Sequence, residues 1–314
     1  MLPGPGSEAG LLNHVRPWSA VAWANVSARL SDYLKLCRPR IAVMSAVAVA
    51  SGFILAAASS IDWAVLLAAV IGVCCFVAAS SALNQTLERS TDSRMQRTSR
   101  RPLVTGRVQP AEGWLLGAAF AVAGLLILLL AVNVVTAVSS FITMLIYVLA
   151  YTPAKRFTTL CTTIGAIPGA MPPVLGWMAC RGEAGIEALA LFAMFFVWQF
   201  PHFLAIGWIY RADYRKAGLR MLPSFEDNGR STGLLALIYA AAFVPVACLP
   251  RFVGLAGTGY LMAALLLSIG YLTLTAQFSL NRTDQNARRL MAGSLICLPM
   301  LLLCLVVDFI RLTS

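Results

Sequence analysis

Long apolar runs constrain the fold of this chain more than any other feature. The sequence contains nine stretches of roughly 20 residues with almost no charge, and only 37 of its 314 residues are Asp, Glu, Lys or Arg. A helix needs about 20 mostly apolar residues to cross a bilayer. Soluble proteins carry about a quarter charged residues, so a water-soluble enzyme is excluded. The pattern predicts an all-α, polytopic membrane bundle.

The apolar runs predict about nine transmembrane helices in one unit. Residues 1–40 hold prolines, glycines and scattered charge, which predicts a cytoplasmic tail ending in a short interfacial segment. Residues 41–314 predict the nine-span domain, in which only Asn133 divides the third span from the fourth. The predicted spans are 41–60, 63–83, 113–131, 134–152, 163–180, 186–209, 233–250, 252–279 and 290–310.

The basic residues predict the orientation of the bundle. Of the 24 Lys and Arg residues, only Arg181, Arg251 and Arg311 lie on one side of the predicted membrane, and the other 21 lie in the N-terminal segment and in every second loop. Cytoplasmic loops carry the excess of Lys and Arg in membrane proteins. We therefore expect a multi-pass protein of the cell inner membrane, with its N-terminus in the cytoplasm and its C-terminus outside.

The eight cysteines indicate no special chemistry. They lie in or beside apolar runs, and no two have the C-x-x-C spacing of zinc or redox sites. We expect them to act as small buried apolar residues.

The centres of the predicted spans hold no acidic residue. Asp62, Asp308, Glu183 and Glu187 lie at or beyond the predicted outer boundary. An ion-coupled transporter usually keeps an ionisable residue near the bilayer centre, so this distribution disfavours transport.

A polar stripe follows the second span at the cytoplasmic boundary. Asn84, Glu88 and Asp92 are spaced by four residues and would share one face of a helix. Their oxygens are the ligands that Mg²⁺ prefers. The arginines that follow, at 94, 97, 100 and 101, suit phosphate oxygens. An amphipathic helix whose arginines only anchor the topology would show the same pattern.

A second polar group closes the sixth span. Asp213 follows His202 by eleven residues, so an unbroken helix would place both on one side, about 16 Å apart. Asp213 would then lie at the cytoplasmic mouth and His202 inside the membrane. A hydrogen-bonded structural histidine and an aspartate salt-bridged to Arg211 or Arg215 are the alternatives. His14, in the tail, is expected to be inert.

The fifth span is interrupted by Pro168, Gly169, Pro172, Pro173 and Gly176. Irregular backbone at membrane depth is tolerated only where protein buries it or where it lines a cavity. The segment could let a large flat ligand approach the main chain, and a kinked packing helix is an equally good interpretation.

Taken together, these motifs resemble the intramembrane prenyltransferases of the UbiA type, and most closely their haem-directed branch, the protoheme farnesyltransferases. The similarity runs in the family's order from about residue 34 to the C-terminus. The matching strings are NQTLERSTDSRMQRTSRRPL at 84–103, YTPAKR at 151–156, GAIPGAMPPVLGW at 165–177, WQFPHF at 198–203 and DYRKAGLRMLP at 213–223.

The resemblance implies an enzyme that transfers the farnesyl group of farnesyl diphosphate to a vinyl group of haem b. Water is added, and the products are haem O and diphosphate. Mg²⁺ would be the cofactor, and haem b a substrate. The lipid bilayer, and a haem A synthase or a terminal oxidase that uses the product, would be partners, and no nucleic acid is expected.

The resemblance also implies residue roles. Asn84, Glu88 and Asp92 would bind the first magnesium, and Asp213 belongs to a second acidic motif and would be a further metal ligand. His202 and Tyr214 would contact the haem, with His202 as iron ligand or proton relay. The residues implied for the diphosphate are Arg97, Arg101, Lys155, Arg156, Arg215 and Lys216.

Two positions depart from the wider superfamily. Glu88 stands where many members carry Asp, and Ala217 stands where a second acid of the later motif would lie. The haem-directed branch shares the second feature, which leaves the ligands of a second metal open.

Two other functions compete with haem farnesylation. One is prenyl transfer to another acceptor, such as a quinone precursor or a chlorophyllide, and the strings at 201–203 and 213–218 disfavour it. The other is a transporter or an assembly scaffold, which would not need the acidic stripe.

Overall fold

The computed structural model describes residues 18–58 and 60–313, with side chains from residue 27 onward. His14 and most of the predicted tail lie outside these residues. Every regular element of the described chain is helical. The elements are α1 (Trp18–Cys37), α2 (Pro39–Ala57), α3 (Trp63–Leu87), α4 (Arg89–Asp92), α5 (Pro110–Ala131), α6 (Val134–Leu145), a π-helical segment (Ile146–Tyr151), α7 (Thr152–Ala154), α8 (Cys161–Arg181), α9 (Ile186–Ile209), α10 (Arg211–Ala217), α11 (Leu222–Phe225), α12 (Arg230–Ala247), α13 (Leu249–Phe252), α14 (Thr258–Leu280) and α15 (Asp284–Thr313).

The predicted membrane bundle is confirmed. Eight of the described helical segments are long and apolar enough to cross a membrane, and each coincides with a predicted span. The remaining prediction, 163–180, corresponds to α8. This helix has 21 residues, but its prolines, glycines and threonines make it less apolar than the other eight. More than half of its residues are buried, so protein rather than lipid surrounds most of α8.

Local turn chemistry sets the helix ends. The division at Asn133 is confirmed, because its side chain accepts a hydrogen bond from the Thr136 amide and caps α6. Its Nδ2 also donates to the Met178 carbonyl at 3.0 Å, which ties the turn to α8. The eighth predicted span began too early. α13 and a turn at Gly254, where φ is +82°, precede α14.

Helix α1 is longer than the short interfacial segment that the sequence suggested. It packs against α3, and Gln85 Nε2 donates to the Leu36 carbonyl at 2.8 Å. Asp32 accepts hydrogen bonds from Lys35 and Arg107. Burial raises the pKa of Asp32, but these two cations outweigh it and lower the pKa below its ordinary value. α1 is therefore docked on the bundle and places Arg38 beside α3.

Helices α2 and α8 form the centre of the bundle and belong to both main apolar cores. One core joins them to α9, α12, α14 and α15, and the other joins them to α3 and α6. A Cβ at Gly176 would overlap the Val49 carbonyl oxygen, and one at Gly52 would overlap that of Pro173. Only glycine permits this close contact between the two backbones.

Candidate active site

A cavity of about 660 Å³ lies between the two cores, within the size range of small-molecule sites. One part of its wall is charged, and the rest is mostly apolar or aromatic with several serines and threonines. The charged lining residues are Arg38, Glu88, Asp92, Arg97, Arg101 and Lys155. The apolar and aromatic lining includes Ile41, Val73, Phe76, Met144, Tyr147, Tyr151, Leu175, Phe203 and Ile206.

The acidic stripe lies at the end of α3, as the spacing predicts. Glu88 forms the junction to α4, and Asn84, Glu88 and Asp92 are all buried. Asn84 Nδ2 donates to Thr152 Oγ1 at 3.0 Å, and Lys155 Nζ donates to Glu88 Oε1 at 2.8 Å. Because Thr152 and Lys155 are one turn apart, Asn84 and Glu88 face the same neighbouring segment. Glu88 and Asp92 line the cavity, and Asn84 lies one turn earlier on α3.

Two oxygens of this stripe have no hydrogen-bond partner within the described part of the chain. Asn84 Oδ1 and Asp92 Oδ1 are both buried and unsatisfied. Buried polar atoms are nearly always paired, so each such oxygen needs an explanation. A hard cation such as Mg²⁺ would satisfy oxygen donors of this kind, and the donor set therefore fits the metal. Across residues 18–58 and 60–313 no three His, Cys, Asp or Glu side chains gather, so substrate phosphates would have to complete its coordination.

The cavity contains more positive than negative charge. Four cationic side chains face two carboxylates there. Arg101 is ion-paired with Asp92 Oδ2. Burial and the nearby Arg38 lower the pKa of Arg101, which is the signature of like charges held together in a poorly solvated place. An anionic ligand would relieve this repulsion.

The two ion pairs also set the charge states of their members. Burial alone would lower the pKa of Lys155, but the adjacent Tyr151 and Glu88 raise it above its ordinary value. Burial raises the pKa of Asp92, and Arg101 opposes that shift. Lys155 therefore stays cationic, and Arg101 favours the ionised form of Asp92.

The second polar group differs from the expectation. The helix is interrupted at Tyr210, where φ is −106° and ψ is 19°, so the condition for His202 and Asp213 to share one continuous helix is not met. Asp213 instead accepts a hydrogen bond from the Arg97 amide at 3.3 Å. The Arg97 guanidinium donates to the Tyr214 hydroxyl at 3.2 Å and lies over the Tyr210 ring.

Asp213 thus holds the loop that carries Arg97 and is not among the residues that line the cavity. Its role as a metal ligand stays a prediction. Tyr214 does line the cavity, as expected of a residue near a substrate.

Three residues implied for the diphosphate lie outside the cavity. Arg156, Arg215 and Lys216 are exposed. Arg215 donates to the Ser224 carbonyl and faces a second, shallower cavity that also contains Asp227. The diphosphate role of these three residues stays a prediction, and no contact with the main cavity supports it.

The structure adds two residues that the sequence reasoning missed. Arg38 lines the cavity with φ at +49°, directly before Pro39, which begins α2. A cation at the start of a span, on the same boundary as the acidic stripe, was the signal. Tyr151 lies on the π-helical segment with Lys155 Nζ 4.2 Å from its ring centroid. The spacing of four residues between Tyr151 and Lys155 was the signal there.

His202 lines the cavity away from the acidic stripe, on α9. Its Nδ1 lies 2.7 Å from Ser294 Oγ, and its ring stacks on Trp198 with centroids 5.4 Å apart. Gly165, Pro168, Gly169 and Pro172 of α8 also line the cavity. Both interpretations of the interrupted fifth span, a kinked packing helix and a wall open to a ligand, therefore apply to α8. α8 packs tightly against α2 and also presents a wall with short side chains.

The fold and the site together define a membrane-embedded helical protein whose cavity suits a ligand with a polyanionic head and a large apolar remainder. The chain belongs to the UbiA prenyltransferase family, whose model matches residues 43–303. It is 40% identical over 300 residues to the protoheme IX farnesyltransferase of Koribacter versatilis, an alignment that covers 92% of this chain and 96% of the relative.

Solved structures share the fold. A structure of digeranylgeranylglyceryl phosphate synthase superposes with a TM-score of 0.76 at 19% identity, covering 90% of this chain and 99% of the other. A UbiA homolog from Archaeoglobus fulgidus bound to GPP and Mg²⁺ gives a TM-score of 0.67 at 19% identity, covering 88% and 99%.

Proposed function

We propose that this protein transfers the farnesyl group of farnesyl diphosphate to a vinyl group of haem b, with addition of water, and releases haem O and diphosphate. The observation that carries the proposal is a single cavity that joins a buried cluster of cations and carboxylates to apolar walls. The relative from Koribacter versatilis, named as a protoheme IX farnesyltransferase, supports the choice of donor and acceptor.

The charged part of the cavity binds the diphosphate. Arg38, Arg97, Arg101 and Lys155 donate to its oxygens and stabilise the negative charge that develops as the C1–O bond breaks. Asn84, Glu88 and Asp92 would hold Mg²⁺, which would supply Lewis-acid stabilisation of the same leaving group. The A. fulgidus homolog bound to GPP and Mg²⁺ supports this cofactor.

The apolar part of the cavity carries the acceptor chemistry. The electron pair of the C1–O bond leaves with diphosphate, and the vinyl group of haem b forms a new bond to the allylic C1. Water then adds to the adjacent carbon and loses a proton, which gives the hydroxyethylfarnesyl side chain. Tyr147 and Tyr151 line the cavity beside Lys155 and limit early access of water to the cation.

The haem lies against α8 and α9 in this proposal. The glycines and prolines of α8 offer a wall that a flat macrocycle can approach. His202 on α9 and Tyr214 on α10 also line the cavity and contact the macrocycle. Residues 41–314 would form the catalytic domain. The acidic stripe would face the cytoplasm, with the protein in the cell inner membrane, and a haem A synthase or a terminal oxidase would take the product.

The decisive experiment incubates membranes that contain the protein with haem b, farnesyl diphosphate and Mg²⁺, and identifies the porphyrin by mass. We expect haem O, and no product once a chelator removes divalent ions. A prenylated quinone precursor, formed in a parallel incubation while haem b is left unchanged, would favour the other acceptor and overturn the proposal.

A matched pair of variants tests the acidic stripe. Glu88→Gln keeps the size of the side chain but removes the charge that Lys155 contacts, so we expect at least a hundredfold loss of kcat. Glu183→Gln changes an exposed carboxylate beyond the opposite end of α8 and should leave turnover unchanged. Normal turnover by purified, folded Glu88→Gln would refute the metal role.

A further inference from the structure

A hydrogen-bond chain behind His202 determines which ring nitrogen carries the proton. Ser294 is fully buried on α15, and its Oγ lies 2.6 Å from the Met291 carbonyl and 2.7 Å from His202 Nδ1. A carbonyl oxygen can only accept a hydrogen bond, and a serine hydroxyl has one proton to donate. Two oxygens 2.6 Å apart repel each other unless a proton lies between them, so this geometry favours donation from Ser294 to the Met291 carbonyl. Ser294 Oγ is then the acceptor for a proton on His202 Nδ1.

The orientation of the ring is fixed from a second side. Trp198 stacks on the imidazole with an interplanar angle of 16°, and its Nε1 donates to the Ser294 carbonyl at 3.1 Å. The Tyr271 hydroxyl in turn donates to the Trp198 carbonyl at 3.0 Å. Three helices, α9, α14 and α15, thus hold one imidazole in one position, which is more structure than a space-filling histidine needs.

In a neutral imidazole with Nδ1 protonated, Nε2 keeps its lone pair. His202 lines the cavity, and Nδ1 is occupied behind it by Ser294. Among the described residues Nε2 has no hydrogen-bond partner, so it is the nitrogen available to a ligand. Metal-bound histidines commonly donate their other ring N–H to a fixed acceptor, which sets the tautomer and raises the donor strength of the ligating nitrogen.

We propose that Ser294 is a positioning residue that fixes the Nδ1–H tautomer of His202, so that Nε2 coordinates the iron of the haem substrate. The inference rests on the proposed function, since it needs haem in the cavity. Ser294 itself does not line the cavity and acts through the imidazole.

The tautomer can be measured without haem. The chain has two histidines, so ¹⁵N-histidine labelling gives two sets of resonances, and His14→Ala assigns them. For the wild-type protein in nanodiscs, we expect His202 to show a protonated Nδ1 and an unprotonated Nε2. The opposite tautomer would overturn the proposal, and this measurement does not depend on any variant that fails to fold.

Haem binding tests the consequence. Removal of the hydroxyl in Ser294→Ala should weaken the affinity for haem b by about tenfold or more. It should also shift the iron–histidine stretching band of the ferrous complex to lower frequency. Ser294→Thr keeps the hydroxyl and should retain both properties. Ser268→Ala removes another fully buried hydroxyl, which donates to the Leu265 carbonyl on its own helix, and should change neither property.

The outcomes separate the two proposals. If the wild type makes haem O but the His202→Ala variant still shows the iron–histidine band, the inference fails and the proposed function stands. An unchanged affinity and band in folded Ser294→Ala also overturns it. If the wild type binds no haem and prenylates another acceptor, the proposed function fails first. A band that is lost in His202→Ala, shifted to lower frequency in Ser294→Ala and unchanged in Ser268→Ala supports the inference.

Discussion

Arg38 shows how one side chain completes the charge of the site. It is held at the start of α2 by the docked helix α1, and it lies close enough to Arg101 to lower the pKa of that residue. The two guanidiniums repel each other, and Asp92, which is ion-paired with Arg101, offsets only part of that repulsion. We therefore expect both arginines to contribute most when a diphosphate is bound, which would be a binding role rather than a structural one.

We predict that Arg38→Ala raises the KM for farnesyl diphosphate by about tenfold to a hundredfold, because a hydrogen bond to a charged group contributes about 1.5–3 kcal/mol. Steady-state kinetics with saturating haem b measures it. Arg94→Ala, a change of an exposed arginine in the same basic loop, is the matched control and should leave KM unchanged. An equal rise in KM in the two variants would mean that only the overall positive charge of this end contributes to binding of farnesyl diphosphate.

The pKa of Asp92 predicts how metal binding depends on pH. A carboxylate must be deprotonated to bind Mg²⁺. Because burial raises the pKa of Asp92, Mg²⁺ affinity should fall with decreasing pH sooner than for an exposed aspartate. Arg101 lowers that pKa, so Arg101→Gln should move the fall in affinity to still higher pH. Calorimetric titration with Mg²⁺ at a series of pH values measures the midpoint, and a shift to lower pH would contradict the assignment.

Sequence spacing predicted some residues of the cavity and missed others for a physical reason. The repeat of four predicted that Glu88 and Asp92 line the same cavity, because the hydrogen bond from the Asp92 amide to the Glu88 carbonyl keeps the helical spacing across the junction from α3 to α4. Arg38 and Ser294 were missed because their neighbours lie far away along the chain: Arg101, in the loop between α4 and α5, is 63 residues from Arg38, and His202, on α9, is 92 residues from Ser294. No local period contains such pairs.

At the scale of elements, the long apolar runs predicted which segments are helical better than they predicted where each helix begins and ends. The spans follow from the need to satisfy every backbone group inside the membrane. The break at Tyr210 was not predictable from hydropathy, because both sides of it are helical. The extra helix α13 was missed for the same reason. The bend at Tyr210 has a consequence for the site, since it turns Asp213 towards the Arg97 backbone.

The contact between α2 and α8 gives a prediction of stability. Gly176→Ala places a methyl group on the Val49 carbonyl, which should destabilise the protein by about 1–3 kcal/mol. Thermal unfolding in detergent, followed by circular dichroism, measures the loss. Gly270→Ala on α14 is the matched control, because its Cβ would meet no atom within 4 Å. A Tm of Gly176→Ala equal to that of the control would show that the two backbones can separate without cost.

At the scale of the whole molecule, the fold places the charged residues of the cavity at one end of the bundle. Helices α3 and α7 end there, and the loop between α4 and α5 covers that end with arginines. The apolar cavity then extends between α2, α3, α8 and α9. A substrate with a polyanionic head and a long apolar tail can enter such a site in only one direction, since burying the head among the apolar walls would be costly.

The last prediction concerns which side of the membrane the charged end of the bundle faces. The 21 basic residues of the N-terminal segment and alternate loops predict that it faces the cytoplasm. Alkaline phosphatase is active only outside the cytoplasm. We therefore expect activity from a fusion after Arg251, which follows α12, and none from a fusion after Arg282, which follows α14. Green fluorescent protein at the same two positions should give the opposite result. The reverse pattern would place the acidic stripe outside, where the cytoplasmic supply of farnesyl diphosphate could not reach it.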